Sequence, residues 1–119
     1  MVSAVARKTG SIRSSGAWSL ASAASTRLGS ERDPLTSVNT LSEYLFDELG
    51  FRGNDEDYYD PRNSYLDEVL KRRLGIPITL SLVYIETGAR LGIPLVGVGM
   101  PTHFLVRHKD LDNIIIDPF

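Results

Sequence analysis

Apolar residues fall into two regimes along this chain: an opening stretch with no regular stripe, and a longer one that is patterned almost throughout. Leu41, Tyr44, Leu45, Phe46 and Leu49 recur at helical spacing up to Gly50, which predicts a short amphipathic helix over 38–49. Asp33-Pro34 before it reads as an extended or turn dipeptide. From Phe51 to Arg62 the chain carries acids, turn formers and Pro61 and is expected to be an irregular loop. A second helix is predicted from a cap at Asn63 or Ser64, with Asp67 completing an approximate capping box. Leu66, Val69, Leu70 and Leu74 or Arg73 form its buried side. Asp67–Lys71 and Glu68–Arg72 are spaced as i,i+4 ion pairs, and Gly75 is expected as its left-handed end. The run Lys71-Arg72-Arg73 reads as a solvated face that suits the negative end of the helix dipole.

A third helix opens at Pro77, where the missing N–H costs nothing, and closes at Gly92 before Pro94. Ile78, Leu80, Leu82, Val83, Ile85, Ala89 and Leu91 surround most of it, so it is expected to lie at the centre of the fold. Gly88 costs this helix about 1 kcal/mol relative to Ala and signals close approach by another backbone. Three strand-like segments follow, Leu95–Gly99, Phe104–Arg107 and Ile114–Ile116, joined by short connections that favour an antiparallel meander. Helices first and an antiparallel sheet afterwards is the order of an α+β fold.

Charge adds a boundary that hydropathy leaves vague. Residues 1–30 hold four basic residues and no acids, with eight Ser and six Ala, while the remaining residues hold fifteen acids against nine Lys and Arg. An Arg-containing, Ser-rich, acid-free opening is the composition of an organellar transit peptide. The expected organisation is therefore a disordered leader over 1–30 and one domain over 31–119. Delivery to the chloroplast is expected ahead of the mitochondrion, with a cytoplasmic location as the alternative. Four scattered basic charges without interleaved aromatics argue against nucleic acid. No apolar run approaches the ~18 residues of a membrane span.

The chain contains no cysteine, which excludes disulfides, thiolate metal sites and a cysteine nucleophile within it. The acidic loop lacks the spacing of a calcium-binding loop. His103 and His108 are five apart, so a strand points them to opposite faces and they do not form a metal pair. No cofactor is expected. His103 opens the second strand and Asp117 closes the third. Side by side in an antiparallel sheet, they form the base half of a nucleophilic triad or a buried hydrogen-bonded pair that ties two strands together. His108 is expected to be an exposed loop residue, and Tyr58-Tyr59 to plug their own loop, with an interface anchor as the alternative.

The segments Asp60-Pro-Arg-Asn-Ser-Tyr-Leu66, Arg72-Arg-Leu-Gly-Ile-Pro-Ile78, Arg90-Leu-Gly-Ile-Pro94, Gly97-Val-Gly-Met-Pro101, His103-Phe-Leu-Val-Arg107 and Ile116-Asp-Pro-Phe119, in this order, resemble the SirB-type N-terminal domain family of the transglutaminase-like superfamily. The resemblance runs from about Leu41 to Phe119. It implies a papain-like core of two to three helices followed by a short three-stranded antiparallel sheet, with further sequence beyond Phe119 and hence low stability for the piece alone. It also implies a catalytic cysteine at the start of the central helix, a histidine at His103 and an aspartate at Asp117. The cysteine position falls near Pro77 to Thr79, where this chain has none. Pro101-Thr102-His103 stands where the family tends to have Pro-Gly-His.

Thr79 and Ser81 carry hydroxyls near the vacated position. A hydroxyl is scarcely ionised at neutral pH and needs a coupled base and an oxyanion hole, so Thr79 reads better as a first-turn cap and Ser81 as a small residue at a close helix–sheet approach. The resulting expectation is a catalytically inactive scaffold that binds a protein partner, with neither nucleic acid nor membrane involved. The alternative is a residual hydrolase or acyltransferase with Thr79 or Ser81 as nucleophile, His103 as base and Asp117 as its orienter.

Overall fold

The computed structural model describes residues 16–31, 33–101 and 103–119. Helix α1 (Gly16–Leu28) is followed by α2 (Pro34–Ser42), which runs on into a π-helical turn over Glu43–Glu48. Strand β1 (Arg52–Gly53), a 3-10 turn (Pro61–Ser64), α3 (Leu66–Arg72) and β2 (Leu74–Gly75) lead to the long helix α4 (Pro77–Arg90). Strands β3 (Leu95–Gly99), β4 (Phe104–His108) and β5 (Ile115–Ile116) complete an α+β fold.

The centre is α4. Leu80, Ser81, Leu82, Val83, Tyr84, Thr87 and Gly88 are all buried, consistent with apolar residues around most of its circumference. One side packs on the antiparallel meander β3-β4-β5. The other side meets α1, whose Ala21, Ala24 and Leu28 are buried. Tyr84 is fully enclosed, with its hydroxyl donating to Val38 O at 3.2 Å and contacting the Ser42 hydroxyl. Burial pushes this phenol well above its ordinary range.

Helix α1 corrects the expected boundary at residue 30. Its stripe is made of small Ala residues among Ser, so it is invisible to a search for large apolar side chains, yet Ala lets two helices approach closely and has the highest helix propensity. Arg27 stacks on the Tyr44 ring, 4.5 Å from its centroid, and pairs with Glu48. Residues 1–15, and with them the first half of the expected leader, lie outside the described residues.

Other differences are local. Helix α2 starts at Pro34 because Asp33 is its N-cap, accepting from Thr36 N at 3.0 Å. The start of α3 is preceded by the 3-10 turn rather than capped by Asn63 or Ser64. Its left-handed end is Arg73, with φ 60°, whose guanidinium donates to Leu49 O at 2.9 Å. Gly75 instead lies in β2, which pairs in parallel with β1 through Arg52↔Leu74 and Gly53↔Gly75. A Cβ on Gly75 would stand 2.7 Å from Thr79 Oγ1, so the glycine serves close approach and not a positive φ. The ion pairs also differ: Lys71 reaches Glu68 at 3.8 Å, and Arg72 turns to Asp60 at 3.6 Å with its side chain largely covered.

Candidate functional site

Three elements meet around His103. The first is the start of α4. Ile76 is extended, Pro77 occupies the first helical position, and Thr79 Oγ1 accepts from Ile76 N at 3.0 Å while donating to Asn63 O at 2.8 Å. Thr79 is fully buried, and its hydroxyl is spent on holding the helix start against the preceding loop.

That loop is the second element. Asn63, fully buried, donates from Nδ2 to the carbonyls of Asp57 and Tyr58, both at 2.9 Å, and its Oδ1 accepts from Asn54 Nδ2 at 3.0 Å. Asn54 in turn donates its backbone N–H to Gly75 O at 2.9 Å. Asp60 caps the 3-10 turn and chelates Arg62, with Nη2 to Oδ2 at 2.6 Å. The side-chain and backbone hydrogen bonds from Arg62 hold the Asp60 carboxyl down to about 2, against an opposing contribution from burial. The expected irregular loop is thus a fixed platform. It carries Tyr58 against the Phe119 ring, centroids 6.0 Å apart, and leaves Tyr59 90% exposed. Tyr59 therefore does not plug its loop. Asn54 and Asn63 escaped sequence reasoning as a pair; an Asn at each end of a short acidic loop, where side-chain amides replace backbone partners, is the signal that marks them.

The third element is the β3–β4 connection. Met100 N donates to His103 O at 2.7 Å, and His103 N returns to Met100 O at 3.3 Å, which makes Met100 and His103 the pair that closes a tight turn just ahead of β4. Thr102, the departure from the family motif, lies outside the described residues. His103 Nδ1 stands 3.7 Å from Asp117 Oδ2, and both side chains are about half exposed. They are neighbours across β4 and β5 as the topology requires, but a buried hydrogen-bonded pair they are not: the separation exceeds hydrogen-bond range. Asp117 Oδ1 accepts from Phe119 N at 3.2 Å, so the carboxylate also shapes the turn that carries Phe119 over Gly53, where a Cβ would fall 2.4 Å from the ring.

Ser81 is fully buried and donates to Phe104 O at 3.2 Å. Among the described residues, neither its hydroxyl nor that of Thr79 is hydrogen-bonded to His103. The structure brings His103 and Asp117 together and directs Thr79 and Ser81 elsewhere. Between the start of α4 and the hairpin runs a groove of ≈ 470 Å³, lined by Tyr58, Ile76, Pro77, Met100, His103 and Phe104 among others. Its lining is mostly apolar, with the His103 imidazole and the Tyr58 phenol as its polar side chains. Among the described residues there is no group of three or more His, Cys, Asp or Glu side chains that could hold a metal ion, and no helix is long and apolar enough to cross a membrane.

His108 corrects a second expectation. It ends β4 and is only 5% exposed. Val106, two residues before it, is fully buried, so the strand's inward face runs through both positions.

The helix with a proline-blocked start, and the three-stranded meander that sets a histidine beside an aspartate, both lie within residues 18–119, which a family model described as transglutaminase-like superfamily matches. The chain belongs to the transglutaminase-like superfamily. It is similar to a UPF0162 protein of Xylella fastidiosa (strain Temecula1 / ATCC 700964), 56% identical over 80 residues that cover 66% of this chain and 28% of that protein. It is also similar to F-box only protein 21 of Homo sapiens, 46% identical over 70 residues that cover 59% of this chain and 11% of that protein. A UPF0162 protein of Vibrio cholerae is 41% identical over 76 residues, covering 64% of this chain and 28% of that protein. The chain thus spans well under a third of these relatives. No solved structure matches it. The start of the family match at residue 18 agrees with a domain that includes α1.

Proposed function

We propose that this domain is a catalytically inactive transglutaminase-like module that acts as an interaction or regulatory scaffold, with the groove beside His103 as its protein-docking surface. The observation that carries this reading is the commitment of both candidate hydroxyls. Thr79 caps α4 against Asn63 and Ser81 supports Phe104 O, while Pro77-Ile78-Thr79 fills the stretch where the superfamily's thiol is expected. A His-Asp pair without a nucleophile in reach lacks the group that would form a covalent intermediate. Exposed Met100 in the groove lining, and exposed Tyr59 edge-on against Tyr58 of the same lining with ring centroids 5.3 Å apart, are the kind of side chains that anchor protein interfaces.

The reading is tested with purified full-length chain on amine/glutamine crosslinking, ester and thioester substrates. No turnover above background is expected; turnover that Ser81→Ala or His103→Ala abolishes would establish the residual hydrolase or acyltransferase instead. In parallel, a partner captured by the wild type should be lost with Tyr59→Ala/Met100→Glu. A partner retained by that double variant docks elsewhere. The acid-free opening of the sequence supports delivery to an organelle, chloroplast before mitochondrion, and the packing of α1 requires any removed leader to end before Gly16. Sequencing the N-terminus of the mature protein tests this, and a mature N-terminus inside α1 would contradict it.

A further inference from the structure

Strand β3 is an outer strand of the sheet β3-β4-β5, and the hydrogen-bond phase of its hairpin fixes which main-chain groups face outward. Met100 and His103 exchange both of their bonds, and Lys109 N donates to Pro94 O at 2.9 Å. Bonded and non-bonded pairs alternate along an antiparallel ladder, so Val98↔Leu105 and Val96↔Arg107 continue the bonded set. Leu95, Gly97 and Gly99 are therefore the residues whose N–H and C=O groups turn away from β4. Among the described residues, no main-chain group of another segment bonds to any of the three, and both glycines are exposed.

Sheet edges are ordinarily blunted by charge, proline or a bulge. The strand Leu-Val-Gly-Val-Gly has neither charge nor proline, and its ladder to β4 runs without interruption. Helix α4 leaves apolar surface on the same side. Ile85 Cδ1 lies 3.7 Å from where a Gly97 Cβ would stand, Ile78 lines the His103 groove together with Gly99, and both isoleucines are only partly buried.

These features select the occupant. The outward residues are placed symmetrically about Gly97, so a two-fold axis there pairs the strand with itself over its whole length. Gly97 then faces the partner's Gly97, and Leu95 and Gly99 face the partner's Gly99 and the partner's Leu95, each pair exchanging two hydrogen bonds. Between them Val96 meets the partner's Val98 on the face away from α4, as a close pair of β-branched side chains. An uncharged strand meets its own copy without like-charge repulsion, and the two α4 helices come side by side under the joined sheet, where Ile78 and Ile85 gain cover. We propose that β3 is a homodimerisation edge, pairing antiparallel with β3 of a second copy about Gly97 and joining two three-stranded sheets into one. The contact is small, so the association is weak and reversible.

The test uses the full chain, whose lack of cysteine makes introduced thiols unambiguous. Sedimentation equilibrium should show a monomer–dimer equilibrium with Kd between about 10 μM and 1 mM. Val96→Cys and Val98→Cys, mixed and mildly oxidised, should form a mixed disulfide, because facing residues of a non-hydrogen-bonded pair lie about 4.5 Å apart at Cα. Neither variant should crosslink to itself, since like positions are diagonal neighbours beyond the reach of a disulfide. Gly99→Pro removes an outward N–H at a position with nothing within 4 Å of its Cβ, and should weaken association about tenfold or more. Val98→Lys, which puts a charge beside the partner strand on the face away from α4, should weaken it as well and is the variant read if circular dichroism shows the proline variant unfolded. The proposal is overturned by a chain that stays monomeric at about 1 mM, which leaves the edge to some other strand. It is equally overturned by a dimer that the folded edge variants leave as tight as wild type, or by a mixed disulfide no more abundant than the self-crosslinks.

Discussion

Ser81 Oγ, on a fully buried side chain, donates to the main-chain oxygen of half-buried Phe104 across the contact between α4 and β4, at 3.2 Å. The position that looks most like a substitute nucleophile is a tie between the central helix and the strand that carries His103 at its head. Its removal leaves a part-buried carbonyl short of this partner, so Ser81→Ala should cost about 1 kcal/mol in urea unfolding. Activity assays should read the same for both proteins; a variant as stable as wild type would show that the bond contributes nothing.

The platform loop should depend on one amide. Asn63→Ala strips partners from Asn54 Nδ2 and from the carbonyls of Asp57 and Tyr58 at once. A loss of about 3 kcal/mol is expected, at the high end for a point substitution because several buried groups go unsatisfied together. Limited proteolysis should then cut between 54 and 60 first. Asn63→Asp keeps the acceptor for Asn54 but not the donor, so it should fall between wild type and Ala.

Gly88 sets two effects of known size against each other. Alanine gains about 1 kcal/mol of helix propensity in α4. Its Cβ would also stand 2.8 Å from Leu95 Cδ1 and 3.1 Å from Ile93 O, and the main-chain oxygen belongs to the turn that feeds β3 and cannot swing aside. Overpacking of this kind costs about 1–3 kcal/mol. Gly88→Ala should therefore be net destabilising by denaturant melting, whereas a gain in stability would mean that the turn after α4 yields.

Acid should loosen the loop platform before it reaches the helix–sheet core. The Asp60 carboxyl is lowered from an ordinary 3.8 to about 2, first by the Arg62 side-chain hydrogen bond and then by the Arg62 N–H. Asp33 is lowered as well, by the backbone and then the hydroxyl hydrogen bond of Thr36. A depressed carboxyl stabilises the fold fully above its unfolded pKa and loses that contribution as pH falls through the folded value. Stability should decline between roughly pH 4 and pH 2, and Asp60→Asn should flatten that decline while lowering stability at neutral pH. An unchanged slope in the variant would place the acid-sensitive groups elsewhere.

Sequence and structure agree where large apolar side chains keep a single period. The boundaries of β3, the start of α4 at Pro77 and the close approach at Gly88 are all legible from spacing, because burial on a helix or a pleated strand imposes the period directly. The His103–Asp117 juxtaposition is legible too, since it follows from strand order. What is illegible depends on side-chain amides and small residues. The Asn54–Asn63 bond closes a loop through hydrogen bonds that leave no periodicity. His108 is misread because the polar residues after it suggest a loop, although Val106 already marks its face as the inner one. Arg73 takes the left-handed position expected at Gly75, where the demand for space at Thr79 is the stronger constraint.

Helix α1 is the largest element hidden in this way, and its membership of the domain has a direct test. Ala24 is 2% exposed in a helix that packs on α4. Ala24→Asp would place a carboxylate where neither solvent nor a cation receives it, at a cost of about 3 kcal/mol or more. Ala23→Asp, one residue away on a half-buried position, should be much milder because its carboxylate can turn outward. If residues 16–28 were a separable leader, both substitutions would leave the melting temperature of the remaining domain untouched. A melting temperature lowered by Ala24→Asp and nearly unchanged by Ala23→Asp is expected, because the α1–α4 contact discriminates faces of the helix and a detached segment does not.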